Sequence, residues 1–133
     1  MDDRSGAAEA GRAAMAAVQE GSRDAWLGLF SPDTRVEDPV GHLPAIEGRE
    51  ALAQFWDAGI APLRSVEFDV TRTWEAGTEA MLLATVTVVA ANDARVSYDG
   101  TFNYAIDEDG RIGSLRAFWD LPAVAAAFAP SEG

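Results

Sequence analysis

The chain has 133 residues, of which 48% are hydrophobic and 24% charged, a composition typical of one globular domain spanning residues 1–133. It contains no cysteine and one histidine, which excludes disulfides, cysteine nucleophiles and metal sites built on thiolates or several histidines. We therefore expect no metal and no cofactor. The net charge of −12 argues against negatively charged partners, so neither nucleic-acid nor membrane binding is expected.

The amino-terminal residues do not have the pattern of a targeting segment. Residues 1–4 are mainly acidic and are not followed by an apolar stretch of the signal-peptide type. No run along the chain is long and apolar enough to span a bilayer. These features predict a cytoplasmic protein.

The first half of the chain has the patterns of helices and one short strand. Residues 6–20 are rich in alanine and are followed by Gly21, a residue type that commonly ends helices. Pro32 ends the second helical pattern, because proline cannot continue a helix. The predicted elements are a helix over residues 6–20, a second helix between Ser22 and Pro32, a strand over residues 34–38, a loop over residues 42–47, and a third helix from Gly48 to Gly59.

The second half changes to the alternation of apolar and polar residues that is typical of half-buried strands. Turn-forming residues separate the segments and predict a four-stranded antiparallel meander over residues 66–74, 80–90, 95–106 and 111–120. One face of its first strand is expected to carry Val66, Phe68, Val70, Arg72 and Trp74. An apolar tail over residues 121–128 can dock as a helical turn. Together these elements predict an α+β fold with helices on one face of the sheet and an apolar cone between the layers.

A carboxylate at the end of the first predicted strand is the main candidate for chemistry. Side chains alternate along a strand, so Asp38 shares its face with Val36 and Val40. The adjacent Glu37 lies on the opposite face with Arg35. A carboxylate in apolar surroundings binds its proton more tightly, which makes it an effective base near neutral pH. The alternative is structural, because an Asp before a proline is also a common way for a chain to leave a strand.

Several stretches resemble the ketosteroid isomerase-like and SnoaL-like proteins of the nuclear-transport-factor-2-like (NTF2-like) superfamily, which include polyketide and polyether cyclases. The stretches are residues 24–30, 36–41, 48–56 and 109–119, and the Glu-Asp-Pro-Val-Gly segment at 37–41 is the most specific. The resemblance implies a cone-shaped fold in which three N-terminal helices pack on a curved, mostly antiparallel sheet around a deep hydrophobic pocket. It also implies a hydrophobic small-molecule substrate and a homodimer.

The same resemblance assigns roles to individual residues. It puts Asp38 at the position of the catalytic base, and puts Tyr104 and Trp119 in the pocket, where a phenol O–H and an indole N–H can donate hydrogen bonds. The alternative is that both are core aromatics. His42 is expected in a solvent-facing loop at the pocket mouth. The expected substrate-binding residues are Ala14, Phe55, Ala84, Val86, Val88, Tyr98 and Phe102. Tyr98 is included because it shares its strand face with Phe102, and a place in the core is the alternative for it.

The chain departs from ketosteroid isomerase at two positions. In that enzyme an Asp base works with an oxyanion hole formed by a Tyr and a protonated Asp. Matched by position, the Tyr falls on Ala14 and the protonated Asp on Phe102, so both familiar donors are missing. Loss of one oxyanion donor typically lowers the rate by roughly a hundred- to a thousandfold. We therefore expect ketosteroid isomerase activity to be weak or absent unless other groups, such as Tyr104 and Trp119, replace the missing donors.

Three functions are compatible with these patterns. The first, which we favour, is an enzyme in which Asp38 acts as general acid/base and catalyses isomerisation or ring-forming cyclisation of a polyketide-like or steroid-like substrate. The second is a non-catalytic protein that binds a hydrophobic ligand, and the third is a protein-interaction module. The first predicts a carboxylate inside the cone, whereas the third predicts an exposed apolar patch outside it.

Overall fold

The secondary structure follows the predicted change from helices to strands. The computed structural model describes residues 6–128 of the chain. In chain order the elements are α1 (Ala7–Glu20), α2 (Arg23–Gly28), β1 (Phe30–Glu37), β2 (Ile46–Glu47), α3 (Arg49–Phe55) with a π-helical turn over Trp56–Ile60, β3 (Ser65–Ala76), β4 (Glu79–Val89), β5 (Arg95–Ile106), β6 (Ile112–Phe118) and α4 (Leu121–Phe128). Within the described residues, no helix has the length and apolar composition needed to cross a membrane.

All six strands belong to one curved sheet with the order β2-β1-β6-β5-β4-β3. Strands β3 to β6 form the predicted antiparallel meander, and β1 pairs with β6 in parallel. The α+β prediction, with helices packed on a curved and mostly antiparallel sheet, is confirmed. Because β1 and β6 run in the same direction, their carboxyl ends meet at one edge of the sheet. Asp38 and Trp119 are the residues that follow these two ends.

Helix α1 crosses the inner face of the sheet and can lie close to it because its buried face is mostly alanine. Strand β3 is an edge strand, so part of its backbone has no strand partner and is free to bond elsewhere. Hydrogen bonds of 2.6–2.7 Å fasten the helix along this strand: Ala8 N–H to Glu75, Arg12 to Thr73, and Phe68 N–H to Gln19.

The first helix ends at Gly21, as predicted. Gly21 has a left-handed backbone conformation with φ of 71°, which glycine adopts without the steric cost that a Cβ would bring. The N–H groups of Gly21 and Ser22 donate to the carbonyls of Val18 and Ala17, at 3.1 and 2.9 Å. These bonds satisfy the carbonyl groups that a helix end would otherwise leave unpaired.

Two boundaries in the first half differ from the prediction. Strand β1 begins at Phe30, so Pro32 lies inside a strand and the second helix is only six residues long. The β1–β6 register is irregular between Phe30 and Arg35, and proline is tolerated in strands at such irregularities. The predicted loop over residues 42–47 contains β2, a two-residue strand that is too short to show an alternating pattern.

A β-bulge in β3 overturns the prediction that residues 66–74 keep one face. Val70 lies opposite Ala84, but Arg72 lies opposite Leu83, so Thr71 is an extra residue in the strand. Beyond the bulge, Arg72 and Trp74 therefore point to the outer face, away from α1. There the guanidinium carbon of Arg72 stacks 4.7 Å from the centre of the Trp74 ring, which leaves 45% of Trp74 exposed.

Candidate functional site

A cavity of about 350 Å³ lies between the helices and the inner face of the sheet. Its volume is within the usual range for small-molecule sites, roughly 300–1,000 Å³. The walls are almost entirely aliphatic and aromatic, and Asp38 is the one charged side chain among the described residues that line the cavity. Leu43, which is 48% exposed, also lines the cavity and marks its rim.

Asp38 reaches the cavity through the alternation of β1. Thr34 and Val36 point into the core and are almost completely buried, so Asp38, two residues further on, points the same way. The parallel register pairs Glu37 with Arg116, so the ends of the two strands, which Asp38 and Trp119 follow, lie side by side. There the indole Nε1 of Trp119 donates a hydrogen bond of 2.6 Å to Oδ1 of Asp38.

The neighbouring carboxylate has the opposite environment. Glu37 points to the outer face, where its Oε1 accepts hydrogen bonds from Arg35 at 2.8 Å and from Arg116 at 2.9 Å. The hydrogen bond from Arg116 is the largest cause that lowers the pKa of Glu37, and the bond from Arg35 adds to it. The predicted division of these adjacent acids between a charge-paired face and an apolar face is therefore present.

Burial raises the pKa of Asp38 above the ordinary value for aspartate. Removal of the carboxylate from water penalises its charged form, whereas the hydrogen bond from Trp119 favours that form and partly opposes the rise. No second hydrogen bond to this carboxylate comes from any residue between 6 and 128. Oδ2 is therefore free to exchange a proton with a bound molecule.

Two tyrosines complete the polar part of the cavity. Burial, together with the nearby charge of Asp38, raises the pKa of Tyr98 and of Tyr104 above the usual range, so both hydroxyls stay protonated at neutral pH. Neither hydroxyl is hydrogen-bonded to another described residue, and both side chains line the cavity. The ring of Tyr98 lies 5.0 Å from the ring of Trp119. Each hydroxyl can therefore donate to a ligand.

Nearly all of the predicted site residues meet in this cavity. Asp38, Tyr104 and Trp119 are joined in its walls by Ala14, Phe55, Val86, Val88, Tyr98 and Phe102. Ala84 is the exception: it is buried in the sheet opposite Gly100 and is not among the residues that line the cavity. His42 is exposed and does not line the cavity, as expected of a loop histidine.

Part of the cavity wall was not predicted from the sequence. The carboxyl-terminal helix α4 contributes an apolar stripe, and α1 contributes Met15 and Val18 beside Ala14. The stripe follows the helical spacing i, i+3, i+4 and i+7, a signal that could have identified it. Its members are Leu121, Val124, Ala125 and Phe128.

Comparisons with known proteins identify the family of this chain. The family model of the SnoaL-like domain matches the sequence over residues 12–114. The chain belongs to the SnoaL-like domain family. A steroid Δ-isomerase of Nocardioides simplex is 35% identical over 103 residues, which are 77% of this chain and 80% of the relative.

Solved structures of SnoaL-like relatives agree closely with this fold. The Δ5-3-ketosteroid isomerase of a Mycobacterium species is 30% identical and matches with a TM-score of 0.81, over 88% of this chain and 95% of that structure. RV0760c of Mycobacterium tuberculosis, solved in complex with estradiol-17β-hemisuccinate, is 26% identical with a TM-score of 0.81, over 87% and 95% of the respective chains.

Substitution of Asp38 by Asn is expected to change how stability depends on pH. Because the pKa of Asp38 is raised on folding, the folded protein binds this proton more tightly than the unfolded chain does. The free energy of unfolding therefore falls as pH rises from the ordinary Asp value of about 3.9 through the raised value. Asn does not titrate, so Asp38→Asn should gain stability relative to the wild type across this window. Urea unfolding between about pH 4 and about pH 8 measures the gain.

Asp99→Asn is the control for this measurement, because Asp99 is an exposed carboxylate on the outer face that accepts a bond from Thr85 at 2.7 Å. A difference between wild type and Asp38→Asn that stays constant with pH would contradict the raised pKa of Asp38.

Substitution of Trp119 by Phe is expected to raise the pKa of Asp38 further. The substitution keeps an aromatic ring but removes the N–H group that favours the charged carboxylate. The pKa can be followed by NMR titration of the Asp38 side-chain carboxyl carbon. Trp26→Phe is a matched control, because Trp26 also lines the cavity but has no hydrogen bond to Asp38. An unchanged or lower pKa in Trp119→Phe would refute this account of the hydrogen bond.

Proposed function

We propose that this protein is an isomerase that moves a proton along a neutral, hydrophobic ketone, with Asp38 as general acid/base. The observation that carries the proposal is a single carboxylate of raised pKa in an otherwise apolar cavity, next to hydroxyl and indole donors. Such a carboxylate is a stronger base than one in water, and its pKa is closer to neutral pH. The similarity to a steroid Δ-isomerase supports a steroid-like substrate.

In this reaction, Asp38 takes a proton from the carbon between a carbonyl group and a carbon–carbon double bond. The electron pair of the broken C–H bond moves to the carbonyl oxygen and gives a dienolate. Tyr104 donates a hydrogen bond to this oxygen, which stabilises the negative charge as it forms. Protonated Asp38 then returns its proton to the far carbon of the diene, which yields the conjugated ketone without any co-reactant.

The charges of the residues that line the cavity restrict the charge of the substrate. Arginine is the only cationic side-chain type in the chain at neutral pH, and none of the described cavity-lining residues is an arginine. A phosphate or carboxylate group deep in the cavity would have no counter-ion and would lie near the charge of Asp38, so its burial would be costly. The substrate is therefore a neutral molecule whose one polar end reaches Asp38 and the tyrosines.

A second candidate reaction is ring-forming cyclisation of a polyketide-like substrate. The observation that favours it is that Ala14 and Phe102, where the resemblance implies oxyanion donors, are apolar walls of the cavity. A cyclisation in which Asp38 deprotonates a hydroxyl group that then attacks needs no dienolate and depends less on those donors. Both reactions use Asp38 as the base, so substitution of Asp38 tests the catalytic role that they share.

Replacement of Asp38 by Asn is expected to abolish turnover and preserve binding. The substitution is almost isosteric and removes only the base, whose contribution is typically about a hundred- to ten-thousandfold. Turnover can be measured on androst-5-ene-3,17-dione from the ultraviolet absorbance of its conjugated product. Steroid binding is followed separately by the fluorescence of the tryptophans that line the cavity.

Asp99→Asn is again the matched control and should keep wild-type turnover. Wild-type turnover by Asp38→Asn would exclude Asp38 as the base. Binding by the wild type without any turnover of the ketosteroid would exclude steroid isomerisation and leave cyclisation or ligand storage.

We also propose that two copies of the chain associate through the outer face of the sheet. This face carries an exposed apolar patch formed by Trp74, Met81 and Phe118, which are 45%, 39% and 44% exposed. Trp74 and Met81 are direct cross-strand partners, and Met81 and Phe118 flank one shallow depression. Exposed patches of this kind mark interaction surfaces.

The charges on this patch suit a second copy. Arg72 stacks on Trp74 and Arg116 on Phe118, and Glu79 lines the same depression as Arg116 and Phe118. Across a twofold axis, these arginines can meet the Glu79 of the other copy. The cations also reduce the repulsion between two chains of net charge −12.

The expected result is a dimer in analytical ultracentrifugation that Met81→Arg converts to a monomer, because the added cations repel each other at the contact. Leu43→Arg is the control, since Leu43 is more exposed than Met81 but lies at the cavity rim, away from the outer face. A monomeric wild-type protein would overturn the homodimer and leave the patch for a different protein partner.

A further inference from the structure

Gly11 is the one residue in α1 that helix propensity does not explain. Seven of the fourteen residues of this helix are alanine, and Gly11 is its only glycine. Glycine weakens a helix interior relative to alanine because it loses more backbone freedom on folding. Gly11 is buried and is not at a helix end, so its presence calls for a reason from packing.

The reason is the ring of Tyr104, which lies against the backbone of α1. A Cβ atom at position 11 would be 2.6 Å from Cδ2 and 2.8 Å from Cε2 of this ring. Carbon atoms attract each other best at about 3.5–4.0 Å, so such an approach is strongly repulsive. The ring of Tyr104 therefore occupies the space that any other residue at position 11 would fill with its side chain.

The ring has little room to move within the sheet. Tyr104 is 4% exposed, and its strand neighbours on the two sides, Ala80 and Leu115, are themselves buried. A methyl group on residue 11 would have to push the ring toward the cavity or lift α1 from the sheet. The buried neighbours of the ring favour the first shift, which moves the Tyr104 hydroxyl relative to Asp38, whereas a lifted α1 would leave both residues in place on the sheet.

We infer that Gly11 is a positioning residue, which sets the location of the Tyr104 hydroxyl as the hydrogen-bond donor to the substrate. The inference rests on the proposed function, in which Tyr104 stabilises the dienolate oxygen. Misplacement of a catalytic group by about 1 Å can cost about a hundredfold in rate. Gly11 acts through Tyr104 alone, since it is not among the residues that line the cavity.

The test is a double-mutant cycle of Gly11→Ala and Tyr104→Phe, with androst-5-ene-3,17-dione as the probe. Phe keeps the ring atoms that meet the added methyl group, so the packing strain is the same in both backgrounds. Only the hydroxyl differs between them. Tyr104→Phe should lower kcat by roughly a hundred- to a thousandfold. Gly11→Ala should lower kcat by about a hundredfold in the wild type and cause no further loss in Tyr104→Phe.

Gly28→Ala is the matched control, because a Cβ at this helical glycine of α2 meets no atom within 4 Å. It should leave kcat unchanged. Thermal unfolding of all variants separates the shared loss of stability from the loss of kcat. If Gly11→Ala lowers kcat by the same factor in both backgrounds, or in neither, Gly11 does not act through the hydroxyl and the inference is wrong.

Failure of the proposed function gives a different result. If Tyr104→Phe alone keeps the wild-type kcat, Tyr104 is not the donor, and the inference falls with that assignment. A wild-type protein without turnover overturns the steroid reaction and the inference together. Nuclear Overhauser contacts between the Gly11 Hα protons and the Tyr104 ring test the packing in the unmodified protein. Their absence would overturn the inference even if Gly11→Ala does not fold.

Discussion

The site depends on the parallel pairing of β1 with β6. These strands are far apart in the sequence, and their pairing brings Asp38 and Trp119 together at one edge of the sheet. On the outer face, the ion pair between Glu37 and Arg116 spans the same two strands at their paired positions. Because side chains alternate, the strand ends present a charge-paired face to solvent and a carboxylate with one donor to the cavity.

The chemistry of the cavity follows from the environment of Asp38, whose negative charge is stabilised by a single neutral hydrogen bond. Glu37 receives two charged hydrogen bonds, and its pKa falls, whereas Asp38 receives one neutral hydrogen bond and is surrounded by apolar walls, so its pKa rises. A cation in the cavity would have neutralised Asp38 and made it a weak base. The apolar walls therefore set the proton affinity of Asp38, the one carboxylate among the described residues that line the cavity.

The two faces of the sheet differ in what they expose, and the bulge at Thr71 divides them within one strand. Before it, β3 sends Val66, Phe68 and Val70 toward the core; after it, Arg72 and Trp74 point outward. The sheet thus has a cavity on one face and an exposed apolar patch on the other. The enzyme hypothesis predicted a carboxylate inside the cavity, and the interaction-module hypothesis predicted an exposed apolar patch. This chain has both features.

The periodicity of the sequence alone determined the α+β class, the four-stranded meander, the end of α1 at Gly21 and the inward direction of Asp38, because these depend on local spacing and backbone preference. The resemblance added part of the cavity wall. Only the tertiary structure decided the parallel β1–β6 pairing, the bulge in β3 that overrides alternation, the exclusion of Ala84 from the cavity and the contact of Gly11 with Tyr104. These features depend on which distant residues meet and how much space each leaves the other, and no local pattern encodes that information.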